Sequence, residues 1–179
     1  NTTIDTIDYS GTGLNTGSKV VFAAYGEEIM SLCSEVPQVI KDLTGITDVK
    51  WVMPGIVAIQ TSGYSTEYDT LATIQKIDEQ LKNRLDNLRD LPLIIWCDDA
   101  GFTAASLRNF LWVSFTRCNP SHDIHGIDSF FSHKHWGCNG PIVIDARIKP
   151  HHAPPVETDA ATEKKIDRIF AKGGSLAAL

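Results

Sequence analysis

The chain has 179 residues, of which 42% are hydrophobic and 21% charged, with a formal net charge of −6. That length suits one domain with a real core, since a domain near 150 residues buries about 68–70% of its unfolded surface. The acidic balance gives no support to nucleic-acid binding, which wants a basic face, and no apolar run reaches the length of a membrane span.

Residues 1–17, NTTIDTIDYSGTGLNTG, read as a polar lead-in segment. The GTGLNTGSK stretch has the glycines of a phosphate loop but the wrong order, because Gly17-Ser18-Lys19 runs into a strand instead of opening a helix. SKVVFAAY (18–25) reads as a short buried strand. Over 27–44, Ile29, Met30, Cys33, Val36, Val39, Ile40 and Leu43 fall near helical spacing, with Pro37 as a kink or break. VKWVMPGIVAIQT (49–61) holds two extended runs around a Pro54-Gly55 turn. Residues 66–89 form the clearest helix, with a stripe of Leu71, Ile74, Ile77, Leu81, Leu85 and Leu88 behind a Thr66 cap. LPLIIWC (91–97) is the nearly uninterrupted apolar strand of a sheet covered on both faces. A helix from about Thr103 to Ser114, a polar loop over 117–140 and a strand over 141–146 follow. The extended connector RIKPHHAPPVET leads to an amphipathic helix over 159–172 with Ile166, Ile169 and Phe170 on one side.

Strands alternating with helices predict an α/β fold: an open, mostly parallel but mixed sheet flanked by helices, as a single domain with a C-terminal amphipathic helix. Ligands in such sheets bind beyond the carboxyl ends of the strands. That directs attention to Gly26-Glu27, to Asp98-Asp99 and to the segment after Ala146.

The four cysteines form no CxxC pair, which predicts reduced, partly buried thiols in a cytoplasmic protein. Asp98 and Asp99 could hold a divalent ion, but capping of the next helix is the commoner use of Asp at that place. Arg117, at a helix end, suits either the last carbonyls or a bound carboxylate or phosphate. The cluster SFFSHKHWGC (129–138) raises three readings. His133, His135 and Cys138 could ligate zinc together with His122 and His125, although the ligand pairs of structural zinc sites are spaced differently. If 131–136 is extended, His133 and His135 share one side and could meet phenolic hydroxyls or a carboxylate. Both could instead satisfy loop backbone.

The segment LIIWCDDAGFTAASLRNFLWVSFTRCNPSHDI, followed by GPIVIDARIKP, resembles the C-terminal domain of the UbiD family of decarboxylases. SKVVFAAYGEEI and DVKWVMPGIVAIQ fit the same domain's opening strand and its proline-glycine segment, so the resemblance covers most of 8–158. The opening and HKHWGC look most like 3,4-dihydroxybenzoate (protocatechuate) decarboxylases. Arg147 is a departure, standing where the family commonly has threonine.

The resemblance implies reversible, non-oxidative decarboxylation of an aromatic acid, a hydroxylated benzoate such as 3,4-dihydroxybenzoate. It implies prenylated FMN with a divalent metal, Mn or Mg, and K as a monovalent companion. The family's flavin-binding and catalytic residues belong to an N-terminal domain whose motifs are absent from this chain. The chain is therefore expected to carry no catalytic residue, no metal ligand and no bound cofactor of its own. It is expected to be a C-terminal piece or separate polypeptide of the enzyme, an opening on Asn1 fitting a piece of something longer. Its expected partners are the flavin domain, the aromatic acid and further copies of itself. In this reading 18–158 is the UbiD-like domain, 159–179 an assembly contact, and His133, His135 and Trp136 line the hydroxyl end of a substrate cleft. The competing reading is a free-standing α/β metal-binding or regulatory domain.

Overall fold

The computed structural model describes residues 18–23, 25–153 and 159–176. The lead-in at 1–17 lies outside them.

The first regular element is the short helix α1, Gln38–Lys41, with Pro37 at its N-cap. Proline has no N–H to lose at that position, so the residue that suggested a kink marks the start instead. Two expectations fail upstream. Residues 18–23 are not a strand, and 27–36 are not helical. Val21 and Ile29, counted towards a buried face, are 86% and 87% exposed. Cys33 and Val36 reach the core while Val21 and Ile29 do not, so the segment has no continuous apolar face to pack, and packing supplies most of a helix's stability.

Strands β1 (Asp48–Met53) and β2 (Ile56–Gln60) form the expected antiparallel pair. Gly55 closes their turn at φ 75°, and a Cβ there would come within 3.0 Å of Leu32 and Pro92, so only glycine fits. Helix α2 (Glu67–Leu81) begins at the Thr66 cap, whose Oγ1 accepts from the Asp69 N–H at 3.1 Å. The end of the predicted helix is a separate 3-10 turn, Leu85–Leu88. Strand β3 (Leu93–Cys97) follows. The next helix is split into α3 (Ala100–Ala104) and α4 (Leu107–Thr116), because Ser106 caps the second by accepting from the Asn109 N–H.

The predicted loop over 117–140 is largely structured. It contains α5 (Pro120–Asp123), β4 (Ile124–Gly126), and a hairpin of β5 (Ser129–Ser132) and β6 (His135–Cys138). Elements of three or four residues are too short to show a period, which is why composition alone read them as loop. Strand β7 (Ile142–Asp145) and the exposed amphipathic helix α6 (Ala160–Phe170) complete the order.

The main sheet runs β1-β2-β3-β7-β4. Its three central strands are parallel and both edge strands antiparallel, so the mixed sheet is as expected. Alternate residues feed two cores. Val57, Ile59, Ile94, Trp96 and Val143 pack with Ile77 and Leu81 of α2. Ala58, Ile95, Cys97 and Ile144 pack with Phe110 and Val113 of α4. Sandwiching between helices is what makes β3 apolar throughout.

Candidate functional site

The parallel strands end on one side, and a buried polar network sits there. Asp145, the last residue of β7, lies opposite Trp96 of β3 and is fully buried. A carboxylate is costly in such a place unless it is paired and hydrogen-bonded. Arg147, two residues on, supplies both. Its Nε donates to Asp145 Oδ1 at 2.9 Å and its Nη2 to Oδ2 at 2.8 Å, the two-pronged geometry that a planar guanidinium allows. Nη2 also donates to Thr70 Oγ1 of α2 at 2.8 Å. The guanidinium lies 3.5 Å from the Trp96 ring centroid and 5.5 Å from that of Tyr64. Trp96 Nε1 in turn donates to Thr61 Oγ1 at 2.7 Å.

Lys149 continues the same side of the chain. Its Nζ donates to the Asp145 carbonyl at 2.9 Å and the Arg117 carbonyl at 3.2 Å, and pairs with Asp123 of α5 at 3.3 Å. Burial raises the Asp123 pKa, opposed by Lys149 and by the Asn119 N–H that donates to its carboxylate. His152 Nδ1 accepts from the Lys149 N–H at 3.0 Å.

Above this network opens a cavity of about 360 Å³. Tyr64, Glu67 and Leu71 line it from the α2 side, His122 and His125 from α5 and β4, and Lys149 from below. His125 Nε2 is buried with no hydrogen-bond partner among the described residues. Burial holds its pKa below the ordinary histidine value, and it also raises the Tyr64 hydroxyl. A second cavity of about 290 Å³ lies between Ser18–Val21 and α4.

The residues singled out by sequence divide. Asp99 caps α3 by accepting from the Phe102 N–H at 2.8 Å, the expected use. Asp98 accepts from the Ile148 N–H at 2.7 Å and faces Arg117 at 3.6 Å, so the carboxylate that Arg117 meets is the protein's own. Among the described residues no three His, Cys, Asp or Glu side chains are grouped to hold a metal ion. All four thiols are free, and burial pushes Cys97 to about 11 and Cys118 to about 12.

The cluster at 129–138 forms the β5–β6 hairpin. His133 and Lys134 are its two turn residues, at φ 49° and 69°. The premise that 131–136 is extended therefore fails, and His133 and His135 do not share a face by alternation. Two-residue turns of this kind favour Asn-Gly, because side chains at positive φ are strained. Trp136 reaches back over Gly126, where a Cβ would approach its ring within 2.8 Å. None of His133, His135 and Trp136 lines the larger cavity. Sequence reasoning missed Asp145, Lys149, Tyr64 and Asp123. The signal available for the first was an acidic residue closing a four-residue apolar strand.

No family model matches the chain. It is 34% identical over 164 residues to a protein of Chlamydia pneumoniae that is named as one of the subunits of 4-hydroxybenzoate decarboxylase. Two solved structures show weaker likeness at 15% identity. An evolved dimeric form of the UbiD-class enzyme HmfF from Pelotomaculum thermopropionicum, in complex with prFMN, has a TM-score of 0.42 over 70% of this chain and 26% of its own. The vanillic acid decarboxylase of Sedimentibacter hydroxybenzoicus in open form has a TM-score of 0.43, over 74% and 30%. Scores of that size support no inference by themselves. The similarity to the chlamydial protein takes in 90% of this chain and 26% of that relative, so the chain spans about a quarter of the relative's length.

Proposed function

We propose that this chain is the C-terminal portion of a UbiD-class non-oxidative aromatic-acid decarboxylase acting in the cytoplasm on a hydroxylated benzoate. The observation that carries the reading is the 34% identity across nine-tenths of the chain to a protein named as part of a 4-hydroxybenzoate decarboxylase. The order of motifs in 93–149 supports it, and so does the surface. Val21, Tyr25, Ile29, Leu111, Trp112 and Phe115 are large apolar side chains left exposed, more than the scattered few of a finished surface. A flavin-bearing partner domain would cover such faces. In this reading 18–158 is the domain body, and 159–179 contacts another copy.

Prenylated FMN belongs to the partner domain. The buried cations Arg147 and Lys149 are committed to Asp145 and Asp123 and are not free to hold its phosphate. For Mn or Mg, likewise, no group of three ligands is assembled among the described residues. This chain supplies cleft lining, with His133 and His135 meeting ring hydroxyls and Trp136 packing on the ring. Support for that role comes from the turn itself: His and Lys stand where Asn-Gly would be less strained, and strained residues gather at functional sites.

The test is to purify the longest natural polypeptide carrying this chain, record its intact mass and flavin absorbance, and follow CO2 release from 4-hydroxybenzoate and 3,4-dihydroxybenzoate. Flavin and release of CO2 are expected. A protein with neither overturns the reading. In the active protein, His133→Ala with His135→Ala should lower turnover of the hydroxylated acids while the melting temperature holds. Parallel loss of both would sink the cleft-lining role.

A further inference from the structure

The root of the β5–β6 hairpin carries a chemistry that the reading above does not use. Of the asparagines in the chain, Asn139 alone is followed by glycine. Such a pair is reactive, because glycine puts no side chain in the way when its amide nitrogen approaches the asparagine side-chain carbonyl. The fold demands both residues. A Cβ on Gly140 would come within 2.8 Å of Leu85 and 2.9 Å of Ile127, so packing favours glycine there. Asn139 Nδ2 donates to Asp128 Oδ2 at 2.7 Å, which an ionised aspartate in its place could not do.

The same contacts hold the pair unreactive. The Gly140 N–H donates to the Ile127 carbonyl at 3.0 Å, and the Asn139 N–H to the Asp128 carbonyl at 3.2 Å. Asp128 is itself pinned to α2, its N–H donating to Asp78 Oδ1 at 2.6 Å. Asn139 is exposed, so water reaches it. The hairpin above this root is a separate two-stranded sheet, and a lone ribbon of two strands is marginal in stability. Opening the root is therefore a local event, far cheaper than unfolding the core.

We propose that Asn139–Gly140 is a self-modifying deamidation site, gated by this root, whose conversion releases the hairpin. When the root opens, hydroxide takes the Gly140 amide proton and the nitrogen attacks Asn139 Cγ. The new C–N bond closes a five-membered imide, and the side-chain nitrogen leaves as ammonia. Water then opens the imide at either carbonyl, leaving aspartate, or isoaspartate with the main chain rerouted through the side chain. One water is consumed and one ammonia released, and nothing is oxidised or reduced. The product sets a carboxylate against Asp128 where an amide had donated to it, and the repulsion keeps the root from closing. Isoaspartate also adds a carbon to the main chain next to the Ser129–Cys138 pair and disturbs its register. Conversion is a one-way release of the ribbon that carries His133, His135 and Trp136. The inference does not depend on the proposed function.

The experiment incubates the longest natural polypeptide carrying this chain at mildly alkaline pH, folded and in urea. Peptides are mapped by mass spectrometry, and isoaspartate is labelled with its methyltransferase. In urea, Asn139 should convert ahead of the chain's other asparagines. In the folded protein the same conversion should be slower by about tenfold or more, the ratio reporting the cost of opening the root. Tryptic cleavage after Lys134, at the exposed tip, reads the state of the ribbon. Asn139→Asp should speed that cleavage. Adding Asp128→Asn exchanges donor and acceptor and should restore the parent rate. Should Asn139→Asp not fold, cleavage of naturally converted protein is compared with that of unconverted protein instead. Conversion in urea no faster than at other asparagines, or equally fast when folded, overturns the inference. So does cleavage after Lys134 that conversion leaves unchanged, or an exchanged pair cut as readily as Asn139→Asp.

Discussion

The hairpin at 129–138 and the segment at 145–149 are built in opposite ways. In the hairpin, neighbouring residues carry the chemistry, and they stand on an exposed ribbon: Phe131 is 79% exposed, and His133 and Lys134 form the tip. At the end of β7, Asp145, Arg147 and Lys149 are at most 6% exposed, and their partners Thr70, Trp96 and Asp123 come from three other elements. A side chain on an exposed ribbon can be exchanged with little consequence for the fold. One inside a closed polar network cannot, because its loss strands a buried partner.

The sharpest way to break this comparison is Arg147→Ala. It leaves the fully buried Asp145 without its guanidinium and should cost about 3–5 kcal/mol in urea unfolding. His133→Ala and His135→Ala should each stay within about 0.5 kcal/mol. Equal costs would mean that the hairpin is part of the core structure. Next comes Thr61→Val, which removes the acceptor of the Trp96 indole N–H. A loss of about 1–3 kcal/mol is expected. A neutral result would show that the indole proton finds another acceptor.

A smaller effect concerns pH. Burial, with His151 and Lys149 nearby, lowers the His152 pKa from 6.5 to about 4, and burial lowers His125 in the same direction. Between those values the unfolded chain takes up a proton at His152 that the folded chain refuses. Its contribution is therefore full above about pH 6.5 and is lost progressively as pH falls to about 4. Asp123, whose pKa burial raises, is protonated more readily when folded and offsets part of that loss. The melting temperature of His152→Gln should fall less steeply across this window than that of the parent. Matching slopes would assign the acid sensitivity elsewhere.

The smallest effect sharpens the hairpin side. Lys134→Gly relieves a side chain held at φ 69° and should stabilise by under about 1 kcal/mol. A loss of stability would show that the Lys134 side chain makes contacts that outweigh the strain.

Much of the fold was legible because its signals are local. The Leu71–Leu88 stripe, the Thr66 cap and the Pro54-Gly55 turn are local signals, and each is found where the sequence places it, apart from the break before Leu85 and from Leu71, which stands exposed. The segment 18–36 misled because its apolar residues are only partly partnered: Cys33 and Val36 reach the core while Val21 and Ile29 stand exposed. The candidate site was half legible. That ligands would lie beyond the strand ends, in the segment after Ala146, follows from topology, and the larger cavity meets that segment at Lys149.

What the sequence determined by itself is therefore the β1–β2 pair, α2, β3 and β7, the two-faced burial of the central strands, and the chemical kinds of side chain available. Periodicity, capping and turn propensity are properties of short stretches of chain, and they survive translation into three dimensions. Only the tertiary structure decided which of those side chains meet. Arg147 finds Thr70 across 77 residues, and His125 and Tyr64, from distant parts of the chain, come to line one cavity. Pairing over such separations depends on how the sheet orders its strands, and no local pattern encodes that order.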